Sequence, residues 1–403
     1  MSNSSMLQNN HVYPVEDCPL TLWRFPKQSE TSPLQAWDSA DILLANTAEQ
    51  IISQTSASTL VINDQFGAIT LHLQSLTSAP ISFYSDSKIA HLAYQQNLTL
   101  NSENSPKADL IFKPLNNSIN DLNKISAEQV YLIKIPKNLD FLEAILAQIH
   151  QVAPEDAQII ASAKASDINN KVVKLFNRYF KQVDVSLATK KSRTIHATGK
   201  QASPYSSYSY WKTWQLDNGL TIYNAPNVFS RNSLDIGAAF FLPHLPAKPN
   251  DFNSTKTDVF DLACGNGILS AYIASSFQQN NCAGELVLHL FDESYMAIES
   301  AVKTIEANDL SYVQIKPNWN DCLSDVKDKA DWIVCNPPFH QQKTITDHIA
   351  MQMFNDSQRC LAKGGKLIIV GNAHLGYSKR LKDIFADCEL VAQDKRFVVL
   401  KAE

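Results

Sequence analysis

A chain of 403 residues with 44% hydrophobic and 19% charged content is neither disordered nor fibrous, and its length suits two or three domains with cores of their own. The net charge of −5 excludes a general DNA coater. It averages an asymmetry: residues 1–159 hold 8 Lys/Arg against 16 Asp/Glu, residues 160–200 hold 9 against 2, and residues 201–403 hold 18 against 22. Glycine is lopsided too: of 11 in the chain, only Gly67 and Gly199 fall in the first 200 residues. No apolar run approaches the ~18 residues of a membrane span, and the polar start lacks a signal-peptide pattern. Seven cysteines, odd in number and without C-x-x-C, suit a reducing compartment rather than a disulfide frame or zinc ribbon. A cytoplasmic protein without a metal is expected.

In the first half, Leu60–Ile62, Phe83-Tyr84, Val130–Ile135 and Ile159–Ala163 read as strands. Lys171, Lys174, Arg178, Lys181, Lys190, Lys191 and Arg193 follow as a basic block, which serves either as a footprint for a polyanion or as a solvated helix face. Residues 201–210, rich in Ser and Tyr without hydrophobic period, read as a linker. Asp217-Asn218-Gly219 between Trp214–Leu216 and Leu220–Ile222 is a hairpin signal. Strands then alternate with helices: strand 258–263, helix 268–276, strand 286–291, helix 295–308, strand 331–335, helix 346–361 ended by Lys363-Gly364-Gly365, strand 366–370, helix 378–385, and a closing pair, 389–392 with 396–401. Such alternation implies a mostly parallel sheet covered on both faces.

Three strand ends carry chemistry. Asp261-Leu262-Ala263-Cys264-Gly265-Asn266-Gly267 leads a strand into a helix, where Gly265 and Gly267 permit a tight turn and close backbone approach to a ligand. Alone, the pattern serves a structural turn equally well. Asp292, ending the next strand, can bond vicinal ribose hydroxyls or cap a helix. Asn320-Asp321 ends the third strand, within reach of an adenine edge. The informative motif is Asn336-Pro337-Pro338-Phe339 at the fourth. Prolines donate no backbone hydrogen bond and leave carbonyls to accept. The Asn336 side-chain oxygen and a proline carbonyl can accept both hydrogens of a planar NH2, aiming its lone pair at an electrophile, while Phe339 stacks on the ring.

This order resembles the S-adenosylmethionine-dependent methyltransferases that modify planar amino groups. Phe229-Ser230-Arg231, Leu234-Asp235-Ile236-Gly237, the Asp261–Gly267 turn, Asn336–Phe339 followed by His340-Gln341-Gln342, and Phe397–Ala402 are similar to the ribosomal RNA guanine-N2 methyltransferases. The first-half phrases Leu20–Pro26, Pro33–Trp37 and Ile62–Ala68 extend the likeness, within that family, to the two-domain large-subunit (23S rRNA) enzymes. The resemblance implies S-adenosylmethionine held by Asp235, Gly237, Asp261, Gly265, Gly267, Asp292, Asn320 and Asp321. It implies catalysis by Asn336, Pro337 and Phe339, with Arg231 and Pro338 toward the RNA. Ala263 departs from the family's first glycine, a tolerable change if its φ is negative, and Ala239 replaces an expected basic residue.

The first half also echoes the second. Leu60–Ala68 mimics 258–268, with the Gly67 turn in place of the Gly265/Gly267 pair. Phe83–Ala90 mimics Leu290–Ala297, with Ser85 opposite Asp292. Val130–Pro136 mimics 333–338, with Lys134 opposite Asn336, and Ile159–Lys164 mimics Ile368–Ala373. The expected architecture is α/β: two tandem Rossmann-like methyltransferase domains. Residues 1–200 form a degenerate copy that docks RNA through Lys171, Lys174, Arg178, Lys190, Lys191 and Arg193, and residues 211–403 a catalytic copy with a mixed seven-stranded sheet. The expected reaction methylates N2 of a guanine in 23S rRNA, by a monomer. Rival readings are 16S rRNA as substrate, an N6-adenine or glutamine-amide methyltransferase, and a non-catalytic RNA-binding assembly factor.

Overall fold

Short apolar runs closed by turn residues build two seven-stranded sheets, one in each of two units, Met1–Tyr208 and Ser209–Glu403. The computed structural model describes the chain apart from residues 1–10, 15–19, 28, 30–31, 53–56, 78, 102–109, 114–127, 203–207, 311 and 339–342, and apart from the side chains of 110–113 and 343–347.

In the first unit β1 (Val12–Tyr13) pairs antiparallel with β2 (Leu20–Thr21). There follow α1 (Ser39–Ile52), β3 (Thr59–Ile62), α2 (Ala68–Leu76), β4 (Ile81–Tyr84), α3 (Lys88–Leu100), β5 (Leu110–Lys113), β6 (Val130–Lys134), α4 (Leu139–Val152), β7 (Gln158–Lys164), α5 (Asn170–Tyr179), β8 (Phe180–Val185) and β9 (Ser192–Lys200). The sheet order is β5-β4-β3-β6-β7-β9-β8, parallel from β5 to β7 and antiparallel beyond.

The second unit opens with the Asn-Gly hairpin, β10 (Lys212–Gln215) and β11 (Thr221–Asn224). Then come α6 (Ile236–Phe241), β12 (Lys256–Leu262), α7 (Ile268–Gln279), β13 (Glu285–Asp292), α8 (Tyr295–Ala307), β14 (Gln314–Trp319), β15 (Ala330–Cys335), α9 (Lys343–Cys360), β16 (Leu361–Asn372), α10 (Tyr377–Ile384), β17 (Cys388–Gln393) and β18 (Phe397–Ala402). The order is β14-β13-β12-β15-β16-β18-β17. It is the order of the first sheet strand for strand, with the last two again antiparallel. Alternate residues of the central strands feed two cores, Val259, Val334 and Ile368 on one face and Phe260, Ile333 and Leu367 on the other. Burial on both faces is why these strands read as near-continuous apolar runs.

Two expectations are corrected. Lys363-Gly364-Gly365 lies within β16, whose pairing with β15 starts at Leu361 and shifts register between Ala330 and Trp332. Gly364 has φ 77, and a Cβ on Gly365 would stand 2.7 Å from the Ala330 carbonyl oxygen, so the glycines shape a bulge in the strand; the helix already stops at Cys360. The last echo between the halves slips by one residue. Ile133 of β6 pairs with Ala161 and Cys335 of β15 with Ile369, so Ile159 corresponds to Leu367, not Ile368. In a strand one residue of slip reverses every face.

Candidate active site

The parallel strands of the second unit end together at one edge, and the turns beyond them carry the predicted residues. Asp261, fully buried in β12, accepts from Ser270 N at 3.2 Å and Ser270 Oγ at 2.7 Å through Oδ2, while Oδ1 is buried with no hydrogen-bond partner among the described residues. Burial, with a smaller push from Asp292, raises its pKa to about 7. Asp292 closes β13 and accepts from Gly265 N and Ser294 N, each at 2.9 Å. It thereby ties the β12 turn to the start of α8.

The two glycines of that turn differ in purpose. Both have positive φ, 54 at Gly265 and 76 at Gly267. A Cβ on Gly267 would stand 2.7 Å from Ala301 Cα, so this glycine lets α7 and α8 approach. A Cβ on Gly265 would meet nothing within 4 Å, which leaves Gly265 as the residue open to a ligand. Ala263 overturns the expectation of negative φ: at 61° it sits in the left-handed region without glycine's freedom.

Asn336 follows β15. Its side-chain oxygen is buried and has no hydrogen-bond partner among the described residues. Pro337 beside it is buried and Pro338 exposed, while Phe339 lies outside the described residues. Asn320 donates its side-chain amide to the carbonyls of Cys322 and Ser324, and buried Asp321 accepts from Gln352 Nε2 at 3.1 Å. Asp235 caps α6 by accepting from Ala238 N at 2.9 Å, and Gly237 is packed against Phe397. Arg231, assigned to the RNA side, is anchored within the unit. It is buried, and its guanidinium donates to the carbonyls of Ser209 and Tyr210.

Two residues of this edge escaped sequence reasoning. Asn266 Nδ2 donates to buried Asn224 Oδ1 at 2.9 Å, locking the β12 turn to β11. The signal was a longer repeat than the one seen: Leu20-Thr21-Leu22-Trp23-Arg24-Phe25-Pro26 matches Leu220-Thr221-Ile222-Tyr223-Asn224-Ala225-Pro226. Thr21 exchanges backbone bonds with the Asn101 side chain just as Thr221 does with Asn308, and both strands seat on the helix after the second sheet strand. Arg24 over the Phe66 ring takes the place of the Asn224–Asn266 bond.

In the first unit the corresponding edge is filled from within. Lys134, in register with Asn336, bonds Asp38 at 2.7 Å and Asp41. Burial raises Asp41 to about 6, against the pull of the Lys134 ammonium. Gln65 stands at the Gly265 position. Ser85 stands at the Asp292 position and accepts from Ser87 N as Asp292 does from Ser294 N. Of the basic block, Arg178 pairs with Glu143, Lys181 with Glu155, and Arg193 Nε donates to the Ser186 carbonyl. Lys171, Lys174, Lys190 and Lys191 are exposed, with no acidic partner among the described residues. No helix among the described residues is long and apolar enough to cross a membrane.

Known proteins resemble this chain along its length. The methyltransferase small domain family matches residues 219–401 and the RLMG N-terminal domain family residues 10–201. The T. thermophilus 16S rRNA N2 G1207 methyltransferase, solved with AdoMet and guanosine, shares the fold with a TM-score of 0.73 over 98% of each chain at 18% identity. The ribosomal RNA large subunit methyltransferase G of Shewanella amazonensis is 39% identical over 389 residues, 96% of each chain. That of Pseudoalteromonas translucida is 39% identical over 395 residues, again 96% of each. Likeness of this degree along nearly the whole length means that the chain belongs to the ribosomal RNA large subunit methyltransferase G family.

Proposed function

We propose that this methyltransferase transfers a methyl group from S-adenosylmethionine to the exocyclic N2 of a guanine in 23S rRNA. The observation that carries the reading is the Asn336 side-chain oxygen, buried at the end of β15 and bonded by none of the described residues. A buried acceptor left without a partner costs about 1–3 kcal/mol, and an incoming amino group recovers that cost only while it is bound there.

The second unit fits the cofactor. Gly265 opens the turn to it, Asp261 Oδ1, bonded by none of the described residues, offers a buried acceptor, and Asp292, Asn320 and Asp321 line the neighbouring strand ends for its nucleoside. Asp235 and Gly237 at the start of α6 complete the assigned set. Bound there, S-adenosylmethionine supplies an electrophilic methyl group. The chain supplies position. Asn336 Oδ1 accepts one hydrogen of the guanine amine and the Pro337 carbonyl the other, which draws the nitrogen lone pair out of conjugation. Phe339 stacks the base and Pro338 stiffens the turn around it. The proton leaves after attack, so no general base is needed, and alignment accounts for much of the rate. The guanine must be unpaired or flipped out to reach this edge.

Residues 1–200 dock the RNA through the exposed lysines of the basic block, residues 201–210 link, and residues 211–403 catalyse. The enzyme works as a cytoplasmic monomer without a metal. The test is nucleoside analysis after incubation with labelled cofactor and each ribosomal RNA. Label in N2-methylguanosine of 23S rRNA is expected. Label in methyladenosine, in protein or in 16S rRNA overturns the reading.

A further inference from the structure

The β8–β9 hairpin of the first unit has an unusual tip. Its last residues fold back in a two-residue turn: Thr189 N donates to Ser192 O at 2.8 Å and Ser192 N to Thr189 O at 2.9 Å. The central residues, Lys190 and Lys191, have φ 45 and 66. Such a turn demands positive φ at both central positions and is normally built from Asn-Gly, Asp-Gly or Gly-Gly, because a Cβ is strained there. Two lysines therefore occupy the sites least suited to them. Strain held in place by surrounding structure points to a use for the side chains themselves.

The surrounding structure does hold it. Ala165 N donates to Lys191 O, Arg193 Nε to Ser186 O and Thr194 N to Ser186 Oγ. On this braced loop Leu187 is 87% exposed, the most exposed of the large apolar side chains described. The second unit shows that the opening is not forced by length. Nine residues, 186–194, separate the pair Val185–Ile195, and nine, 391–399, separate the equivalent pair Leu390–Leu400. There the strands pair onward to Gln393–Val398, and Asp394 closes the turn by accepting from Arg396 N and Phe397 N. In the first unit the same length of chain keeps only the Ser186 N to Thr194 O bond and the Thr189–Ser192 bridge, and presents one leucine and two lysines. Lys164 and Lys171 stand at the neighbouring end of β7 and start of α5, so the tip continues a basic surface.

We propose that the β8–β9 tip is an RNA-binding finger, with Lys190 and Lys191 on backbone phosphates and Leu187 packed against an unstacked base. The proposal rests on the docking role given above to the first unit. A braced cationic turn with an apolar apex is complementary to a polyanion whose loops expose base faces.

The experiment measures binding of the full chain to deproteinised 23S rRNA across a salt series. Lys190→Asn with Lys191→Gly installs the residues that the turn prefers. The double variant is expected to melt at a higher temperature and yet bind rRNA at least tenfold more weakly, with the slope of log K against log salt smaller by roughly 1.4. Leu187→Ser is expected to weaken binding severalfold without changing that slope. A double variant with raised melting temperature and unchanged affinity overturns the finger. So does a Leu187→Ser loss seen only on ribosomal particles, which would make the apex a protein contact. Lys171→Glu with Lys174→Glu separates the two levels: if it weakens binding while the tip variants do not, docking stands and the finger falls; if none of the three does, both fall.

Discussion

At one register position of two sheets with the same strand order stand Lys134 and Asn336. The first is held by two carboxylates of its own unit; the second keeps a buried oxygen that no described residue of its unit bonds. Around Lys134, the ligand-facing glycine is Gln65 and the edge carboxylate is Ser85, whereas around Asn336 they are Gly265 and Asp292. The scaffold does not discriminate between the two units; the polar bookkeeping of the edge does. Where the chain satisfies its own groups, the edge is structure. Where it leaves an acceptor unsatisfied at a cost, the edge awaits a ligand.

The sharpest way to break this contrast is to mutate the matched pair. Lys134→Met leaves Asp38 and Asp41 without their cation, and removing one partner of a largely buried ion pair costs about 3 kcal/mol. It should lower the unfolding midpoint and leave turnover per folded molecule near wild type. Asn336→Ala should do the reverse: little change in melting, cofactor binding kept, and kcat down about a hundredfold, or ~2.7 kcal/mol of barrier. Equal turnover losses in both variants would refute the division of labour.

The glycines sharpen it next. Gly67 and Gly267 have φ 80 and 76, and a Cβ on each would crowd the helix after the second sheet strand, at Tyr94 and at Ala301. The glycine kept in both units is thus the packing one, and the one replaced in the first unit is the ligand-facing one. Gly267→Ala should cost about 2 kcal/mol of stability through strain and overpacking. Gly265→Ala should cost less in stability but weaken cofactor binding, read by calorimetric titration. A weaker cofactor in the Gly267 variant alone would reverse these roles.

How much of this was legible beforehand follows from which signals are local. The strand–helix alternation, the Asn-Gly hairpin and the Lys134–Asn336 correspondence could be read because each lies in a short run of periodic or turn-forming residues. The β16 bulge could not, since Gly364-Gly365 reads identically as a helix stop until Ala330 is placed beside it. The slip at Ile159 arose because an all-apolar run carries no mark of register. The anchoring of Arg231 was not legible either, because its partners are backbone carbonyls, which no sequence displays. The purpose of each glycine depended on the neighbour across the helix pair.

A smaller effect lies in pH, at the buried carboxyl of the second unit. Burial holds Asp261 at about 7, above its ordinary 3.8. A carboxyl whose folded pKa is raised favours the folded state most below its unfolded pKa, and that contribution is lost as pH rises to the folded value. Stability on this account falls between about pH 4 and pH 7. Asp261→Asn can still accept from Ser270 and carries no charge, so its melting advantage over wild type should grow across that window and level off above it. A gap independent of pH would mean that Asp261 is ionised throughout.

The smallest expected effect concerns backbone strain that both units share. Asn63 and Ala263 stand at matched positions with φ 64 and 61. Asparagine tolerates this region better than alanine does, and Asn63 adds a side-chain bond from Nδ2 to the Lys134 carbonyl at 2.9 Å. Ala263 has neither compensation. Ala263→Gly should therefore raise stability by about 1 kcal/mol, read from the urea midpoint. Asn63→Gly exchanges a bond for relief of smaller strain and should gain nothing. Equal gains at the two positions would mean that the Asn63 bond holds nothing together. No gain at Ala263 would mean that the rest of the turn, tied through Gly265 N to Asp292, already sets this conformation without strain.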